Sequence, residues 1–204
     1  MLNIAVLVSG GGTNLQSIID SIENGYLKDV KIKYVISDRK GAFGIERARA
    51  HNIDTLVLDR KIYKKELSNK IYEELKDKVD LVVLAGYLSI ISSPLIEGFK
   101  NKIINIHPSL IPSFCGKGMY GVKVHEAAVN YGVKVSGCTV HFVDENTDTG
   151  AIILQNVVKV YADDTPEELQ RRVLQEEHKA LPLAIKLISE YRIVVEDRKV
   201  IIKE

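Results

Sequence analysis

Asn3-Ile4-Ala5-Val6-Leu7-Val8-Ser9-Gly10-Gly11-Gly12-Thr13-Asn14 is the stretch that decides the fold. Asn3 to Val8 is a short apolar run that does not alternate with polar residues, as expected for a strand covered on both faces. Three glycines stop it, and Leu15, Ile18, Ile19 and Ile22 then recur at helical spacing. A buried strand, a glycine turn and an amphipathic helix make up the opening unit of a parallel α/β sheet.

The unit repeats downstream. Lys31 to Ile36 is followed by helical Ala42 to His51, and Thr55 to Leu58 by helical Tyr63 to Lys76. Leu81 to Leu84 and Ile103 to Ile104 add two more unbroken apolar runs. The pattern predicts a mostly parallel twisted sheet flanked by helices, in the α/β class. Beyond Pro108 it changes: Val133 to Val143 and Ala151 to Tyr161 are long strand-like runs separated only by Asp144 to Gly150. These predict an antiparallel or mixed extension of the same sheet. Thr165, Pro166 and Glu168 provide a cap, a first-turn proline and a capping-box acid for a helix reaching about Glu190. Pro182 inside it removes one backbone hydrogen bond and should kink it near His178. Arg192 to Val195 and Lys199 to Ile202 read as a small hairpin around Asp197.

With 204 residues, the chain is long enough to bury a core without disulfides or metal. Its net charge is +1, with acids and bases interspersed, which argues against nucleic-acid and membrane-surface partners. Cys115 and Cys138 form no CxxC pair, so neither a disulfide scaffold nor a cysteine-rich zinc site is expected. The first residues lack a basic leader and a cleavage site, and the expected location is the cytoplasm. No linker, repeat or low-complexity segment divides the chain, so 1–204 is expected to be one domain.

Chemistry-bearing residues fall at the ends of the strand-like runs. Glycines at 10 to 12 let backbone amides approach a ligand, and the helix they open favours an anion. Leu15 stands where a dinucleotide fingerprint needs glycine, and Walker A is incomplete, so the turn suits a phosphate monoester better than a pyrophosphate. In Asn105-Ile106-His107-Pro108-Ser109-Leu110-Ile111-Pro112 the proline keeps His107 extended. Asn105 and His107, two residues apart, then face the same side of a strand. An amide donor beside an imidazole suits acyl transfer: Asn105 can stabilise a developing oxyanion while His107 moves a proton. Asp148 lies in the acidic connection 144–150. Such a run alone is usually a solvated turn, but in an open parallel sheet the ligand crevice lies beyond the strands' carboxyl ends. There Asp148 can orient His107.

Together, Asn105-Ile-His107-Pro-Ser-Leu-Ile-Pro, the Asp148-Thr149-Gly150 turn, the opening Ser-Gly-Gly-Gly-Thr-Asn and Gln175-Glu176-Glu177-His178 resemble the folate-dependent formyltransferases over nearly the whole chain. The N-terminal turn narrows the resemblance to those acting on phosphoribosylglycinamide in de novo purine synthesis. The resemblance implies a Rossmann-like formyltransferase fold, with a phosphate-binding half over 1–100, a catalytic and folate-binding half over 101–190 and the hairpin over 191–204. It implies 10-formyltetrahydrofolate as co-substrate, no metal, small-molecule partners only, and a monomer or homodimer. By the same resemblance Asn105, His107 and Asp148 are catalytic. Gly11, Gly12, Thr13 and Asn14 hold the substrate phosphate, and Glu177 engages its amine end. Leu88, Ser89, Ile90, Ile91, Asn105, Asp144 and Asp148 line the folate site, with Arg60 toward the benzoylglutamate.

The chain departs from the family pattern in two places. Phe114 to Gly121 is longer and richer in glycine than the usual loop and predicts a mobile flap, from which Lys117 can reach the phosphate. Ser89 stands where an arginine is common. Two other function classes compete: a nicotinamide-dependent oxidoreductase, with Asp38 serving a ribose, and a non-catalytic phosphosugar-binding domain.

Overall fold

The computed structural model describes residues 1–204. Seven strands form one sheet: β1 (Leu2–Val8), β2 (Val30–Ser37), β3 (Asp54–Val57), β4 (Leu81–Leu84), β5 (Ile103–His107), β6 (Val135–Phe142) and β7 (Ile152–Lys159), in the spatial order β3-β2-β1-β4-β5-β6-β7. The first five are parallel. β6 and β7 run antiparallel, Asn105 pairing with His141 and His107 with Thr139. The fold is thus the mostly parallel α/β sheet with an antiparallel extension that the apolar runs predicted. β8 (Ile193–Glu196) and β9 (Lys199–Ile202) pair as a separate antiparallel hairpin.

Both faces of the sheet are covered. Ile4, Val6 and Val8 pack on one side with Leu15 and Ile18 of α1 (Thr13–Glu23), Ala48 of α2 (Phe43–Ala50) and Leu181 and Ile185 farther along the chain. Ala5 and Leu7, the alternate residues of β1, point the other way into a second core with Leu67, Ile71 and Leu75. This two-sided burial is why β1 reads as an unbroken apolar run.

The segment expected to be one helix from Tyr63 to Lys76 is two: α3 (Arg60–Tyr63) and α4 (Leu67–Leu75), with a 3-10 turn at 64–66 between them. Asp59 opens α3 by accepting from the Lys61 amide at 2.9 Å, and Lys64 at φ 48° ends it. The break lets Leu67, Ile71 and Leu75 face the core while Arg60 stays at the surface. After the short α5 (Leu95–Gly98), a further helix was not anticipated: α6 (Val122–Tyr131), closed by Gly132 in the left-handed region. Finally α7 (Pro166–Ser189) begins with the predicted capping box on Thr165 and Glu168 and runs through Pro182 without interruption. No helix is long and apolar enough to cross a membrane.

Strand order reverses direction between β1 and β4. At such a switch point the connections leave to opposite faces and a crevice opens beyond the strand ends. The Ser9 amide donates to Gly86 O at 3.1 Å, and the Leu88 amide to Ser9 Oγ at 2.8 Å, which fastens the two crevice walls together.

Candidate active site

A cavity of about 680 Å³ occupies this crevice. Gly10 to Asn14, Leu84 to Ile91, Asn105 to Pro108, Gly116 to Gly121, Val143 to Asp148 and one side of α7 line it. Apart from Arg60, every residue that the sequence singled out for the site lies in this wall.

Asn105 and His107 come from β5, whose pleat sends both side chains the same way. His107 Nε2 is 3.0 Å from the carbonyl of Phe114. A carbonyl only accepts, so Nε2 carries the proton and Nδ1 is left for chemistry. Nδ1 stands 3.6 Å from Asp148 Oδ2, close enough for strong coupling but beyond a formed hydrogen bond. Asp148 holds φ 58°, a left-handed geometry that Asp tolerates better than most residues. Its turn can close only because residue 150 is glycine, where a Cβ would fall 1.8 Å from Phe142 O. The same Oδ2 accepts from the Gly116 amide at 2.8 Å. The 114–121 loop therefore touches both members of the pair, His107 through Phe114 and Asp148 through Gly116. Asp144 steadies the 144–150 turn, its Oδ1 accepting from Thr149 Oγ1 at 2.6 Å and from the Asn146 amide at 3.1 Å.

Two histidines that sequence reasoning missed complete this centre. His141, on β6 beside Asn105, donates from Nδ1 to Phe142 O at 2.7 Å. Its Nε2 then accepts from Asn105 Nδ2 at 3.1 Å, which fixes the amide orientation and leaves the second Asn105 N–H for a ligand. Burial lowers the His141 pKa and favours this neutral role. His125 projects from α6, is 1% exposed, and has no hydrogen-bond partner at Nδ1. Burial, reinforced by repulsion from His107, pushes its pKa down to about 4. The only sequence signal for His141 was its position in a strand pairing with β5, and for His125 the weakly marked α6.

The segment after His107 is held by buried hydroxyls. Thr139 Oγ1 donates to Ser109 O at 2.6 Å and accepts from the Ile111 amide at 3.1 Å, and Ser109 Oγ donates to Ser113 O at 2.6 Å. Preorganisation of this kind lets donors meet developing charge without rearranging.

At the opposite end of the cavity lies the glycine turn. The amides of Gly11, Gly12 and Thr13 donate to no protein acceptor, and they open α1. Glu177 of α7 leans on this end: Asn14 Nδ2 donates to Glu177 Oε2 at 2.7 Å, while buried Asn14 Oδ1 is unpartnered. Burial raises the Glu177 pKa, and the Asn14 hydrogen bond only partly offsets that. An acceptor-rich pair beside free amides calls for a ligand carrying an anion and neighbouring donors.

Between the ends, exposed Leu88 and Ile90, buried Ile91 and part-buried Val143 offer an apolar wall to a flat ring. Ser89 Oγ donates to Asp38 Oδ2 at 2.6 Å. Arg60 is not in the cavity wall. It stands outside with Nη1 3.6 Å from Asp38 Oδ2, so it reaches the cleft only through the Asp38–Ser89 link. Asp38 is fully buried and also accepts from Arg39 Nε at 3.0 Å. Burial opposes its ionisation, but hydrogen bonds from Arg39, Ser89 and Ser9 outweigh it and hold the pKa below the ordinary carboxylate value. A carboxylate so occupied is not free to bind a ribose, and the oxidoreductase alternative loses its one supporting residue.

The family model described as formyl transferase matches residues 2–185. A phosphoribosylglycinamide formyltransferase of Haemophilus influenzae is 40% identical over 200 residues, covering 97% of this chain and 92% of that protein. A chloroplastic phosphoribosylglycinamide formyltransferase of Arabidopsis thaliana is 43% identical over 196 residues, 93% of this chain, and the chain spans just 66% of that protein's length. Among solved structures, glycinamide ribonucleotide transformylase 1 from Symbiobacterium toebii superposes with a TM-score of 0.94 at 45% identity, over 100% of this chain and 95% of that one.

Proposed function

The chain belongs to the formyl transferase family, and from that premise we propose that it moves the formyl group of 10-formyltetrahydrofolate to the amine of N1-(5-phosphoribosyl)glycinamide, as a step of purine synthesis. The observation that carries this reading is the single cavity with Asn105, His107 and Asp148 at one end and unpartnered helix-opening amides at the other. A phosphorylated amine that anchors its phosphate at Gly11 to Asn14 and runs past Glu177 brings its nucleophile to the histidine end. The apolar wall of Leu88, Ile90, Ile91 and Val143 suits a pterin ring, and the 144–148 turn supplies polar groups for its edge. Ser89, backed by Asp38 and Arg60, marks the open end, where the benzoylglutamate leaves the cleft.

When the amine attacks the formyl carbon, negative charge gathers on the formyl oxygen. The free Asn105 N–H stabilises it, and the His141 contact keeps that N–H aimed. His107 adds a second donor once Nδ1 carries a proton, and Asp148, 3.6 Å from Nδ1, orients the ring. Asp148 also accepts the proton shed by the attacking amine, which must finally reach the departing folate nitrogen. One well-placed oxyanion donor typically contributes about 10²–10³ in rate, and positioned acid–base help about 10²–10⁴.

The test is an absorbance assay of folate deformylation with and without phosphoribosylglycinamide, run with a small panel of amine acceptors. Formyl loss that depends on the acceptor, with formylated product, is the expected result. Loss at an equal rate without any amine would make the protein a hydrolase, and binding of the phosphosugar without turnover would make it a binding domain.

A further inference from the structure

Arg47, on α2, packs behind the glycine turn rather than into the cleft. Its Nε donates to Gly11 O at 2.8 Å and its Nη1 to Gln16 Oε1 at 3.0 Å, and its guanidinium lies 5.0 Å from the Phe43 ring centroid. Arg49, on the same helix, pairs with Glu46 at 2.9 Å, whereas no carboxylate lies within 4.0 Å of Arg47.

The neighbouring carbonyl is held from the same direction, since the Gly44 amide donates to Gly10 O at 3.0 Å. Two consecutive carbonyls of the turn therefore point at α2. In a trans peptide unit the C=O and the following N–H point opposite ways. The amides of Gly11 and Gly12 are consequently turned away from α2, toward the cleft that both residues line. The approach is too close for side chains: Gly12 has φ 69°, and a Cβ on it would fall 2.7 Å from Gly44 Cα.

We propose that Arg47 is a positioning residue for phosphate binding. It grips the Gly11 carbonyl so that the turn presents its free amides to the cleft, and its unneutralised charge behind the turn favours a phosphate monoester dianion in front of it. The proposal rests on reading this turn as the phosphate end of the site, but not on the formyl chemistry.

Full-length protein is titrated with ribose 5-phosphate by calorimetry in the absence of folate, and kcat and both KM values are measured for formyl transfer. Arg47→Gln should weaken ribose 5-phosphate binding and raise the KM for phosphoribosylglycinamide, each by roughly tenfold, the loss of one charge-assisted hydrogen bond. Its kcat and formylfolate KM should stay within about twofold of wild type, as expected for loss of uniform binding. Arg47→Lys keeps the charge but cannot span Gly11 and Gln16 together, so it should fall between. If Arg47→Gln fails to fold on thermal melting, Gln16→Ala, which frees one arm only, should shift the acceptor KM the same way by about threefold.

Unchanged phosphate affinity and acceptor KM in a folded variant overturn the proposal. So does a parallel loss in kcat and both KM values, the mark of a merely structural residue, and so does a wild type that ignores ribose 5-phosphate. Arg47-dependent phosphosugar binding without any formyl transfer leaves this proposal standing and sinks the functional one. Formyl transfer with Arg47-independent KM values does the reverse.

Discussion

His107 and Asp148 meet across 3.6 Å although 41 positions separate them in the chain, and the consequences at single residues follow from that meeting. Asp148→Asn and His107→Ala should each lower kcat by roughly 10²–10⁴, because on the proposed mechanism one removes the proton acceptor and the other the group it orients. Melting temperatures should stay close to wild type in both, and near-normal turnover would remove the pair from the mechanism. Glu177 is a different case. Burial raises its pKa, so its contribution to stability is full below the ordinary glutamate value and is lost as pH rises through the raised one. Above the ordinary glutamate value the buried acid is a burden, and Glu177→Gln should melt no lower than wild type while raising the KM for phosphoribosylglycinamide. A drop in melting temperature without a KM effect would make Glu177 structural. Asn105 and His107 stood out in the sequence because their spacing puts them on one side of a strand, whereas Asp148 needed the crevice beyond the strand ends to set it apart from a solvated turn. His141 did not stand out. It sits inside a strand run, and only its register opposite Asn105 gives it a task.

At the scale of elements, Gly116 and α6 show what patterns reveal and hide. Gly116 has φ 89°, and its amide grips Asp148. An alanine there would be strained by roughly 1–2 kcal/mol, and relaxation of the loop would release that grip. Gly116→Ala should therefore reduce kcat markedly with a small change in melting temperature, and a variant with full kcat would show the loop contact to be incidental. α6 carries a weak local signal because Val122, Val124 and Val129 are β-branched and sit next to the apolar run at 133. Its stop signal, Gly132, was present but weak in a glycine-rich neighbourhood. The capping box of α7 had no such competitor, and Thr165 and Glu168 form it as predicted. The break at Lys64 had no local signature: burial of Leu67, Ile71 and Leu75 imposes it, and burial is a tertiary property.

For the whole molecule, three buried or half-buried histidines and Asp38 point to acid sensitivity, with Glu177 alone opposing it. His125 is held neutral with its pKa near 4, so its contribution is present above the ordinary value of 6.5 and is lost as pH falls toward 4. The loss amounts to at most roughly 3 kcal/mol. Burial depresses His141 and His178 in the same direction, and Asp38, held below the ordinary carboxylate value, adds to the loss at still lower pH. Melting temperature should thus fall between about pH 6.5 and 4, and His125→Gln should flatten part of that fall. An identical pH profile would show that His125 pays no such penalty. The parallel architecture was legible because β1, β4 and β5 are apolar runs buried on both faces, whereas the meeting of β5 with β6 depended on pairing that no local pattern encodes. That junction also divides labour. On the proposed mechanism the anion grip belongs to the first β-turn-α unit, while the groups that handle the proton straddle the boundary between parallel and antiparallel pairing. On the proposed reading, acceptor affinity and transfer chemistry rest on separate parts of the chain, so substitutions at the glycine turn or at Arg47 behind it should alter which phosphorylated amine docks while Asn105, His107 and Asp148 keep their geometry.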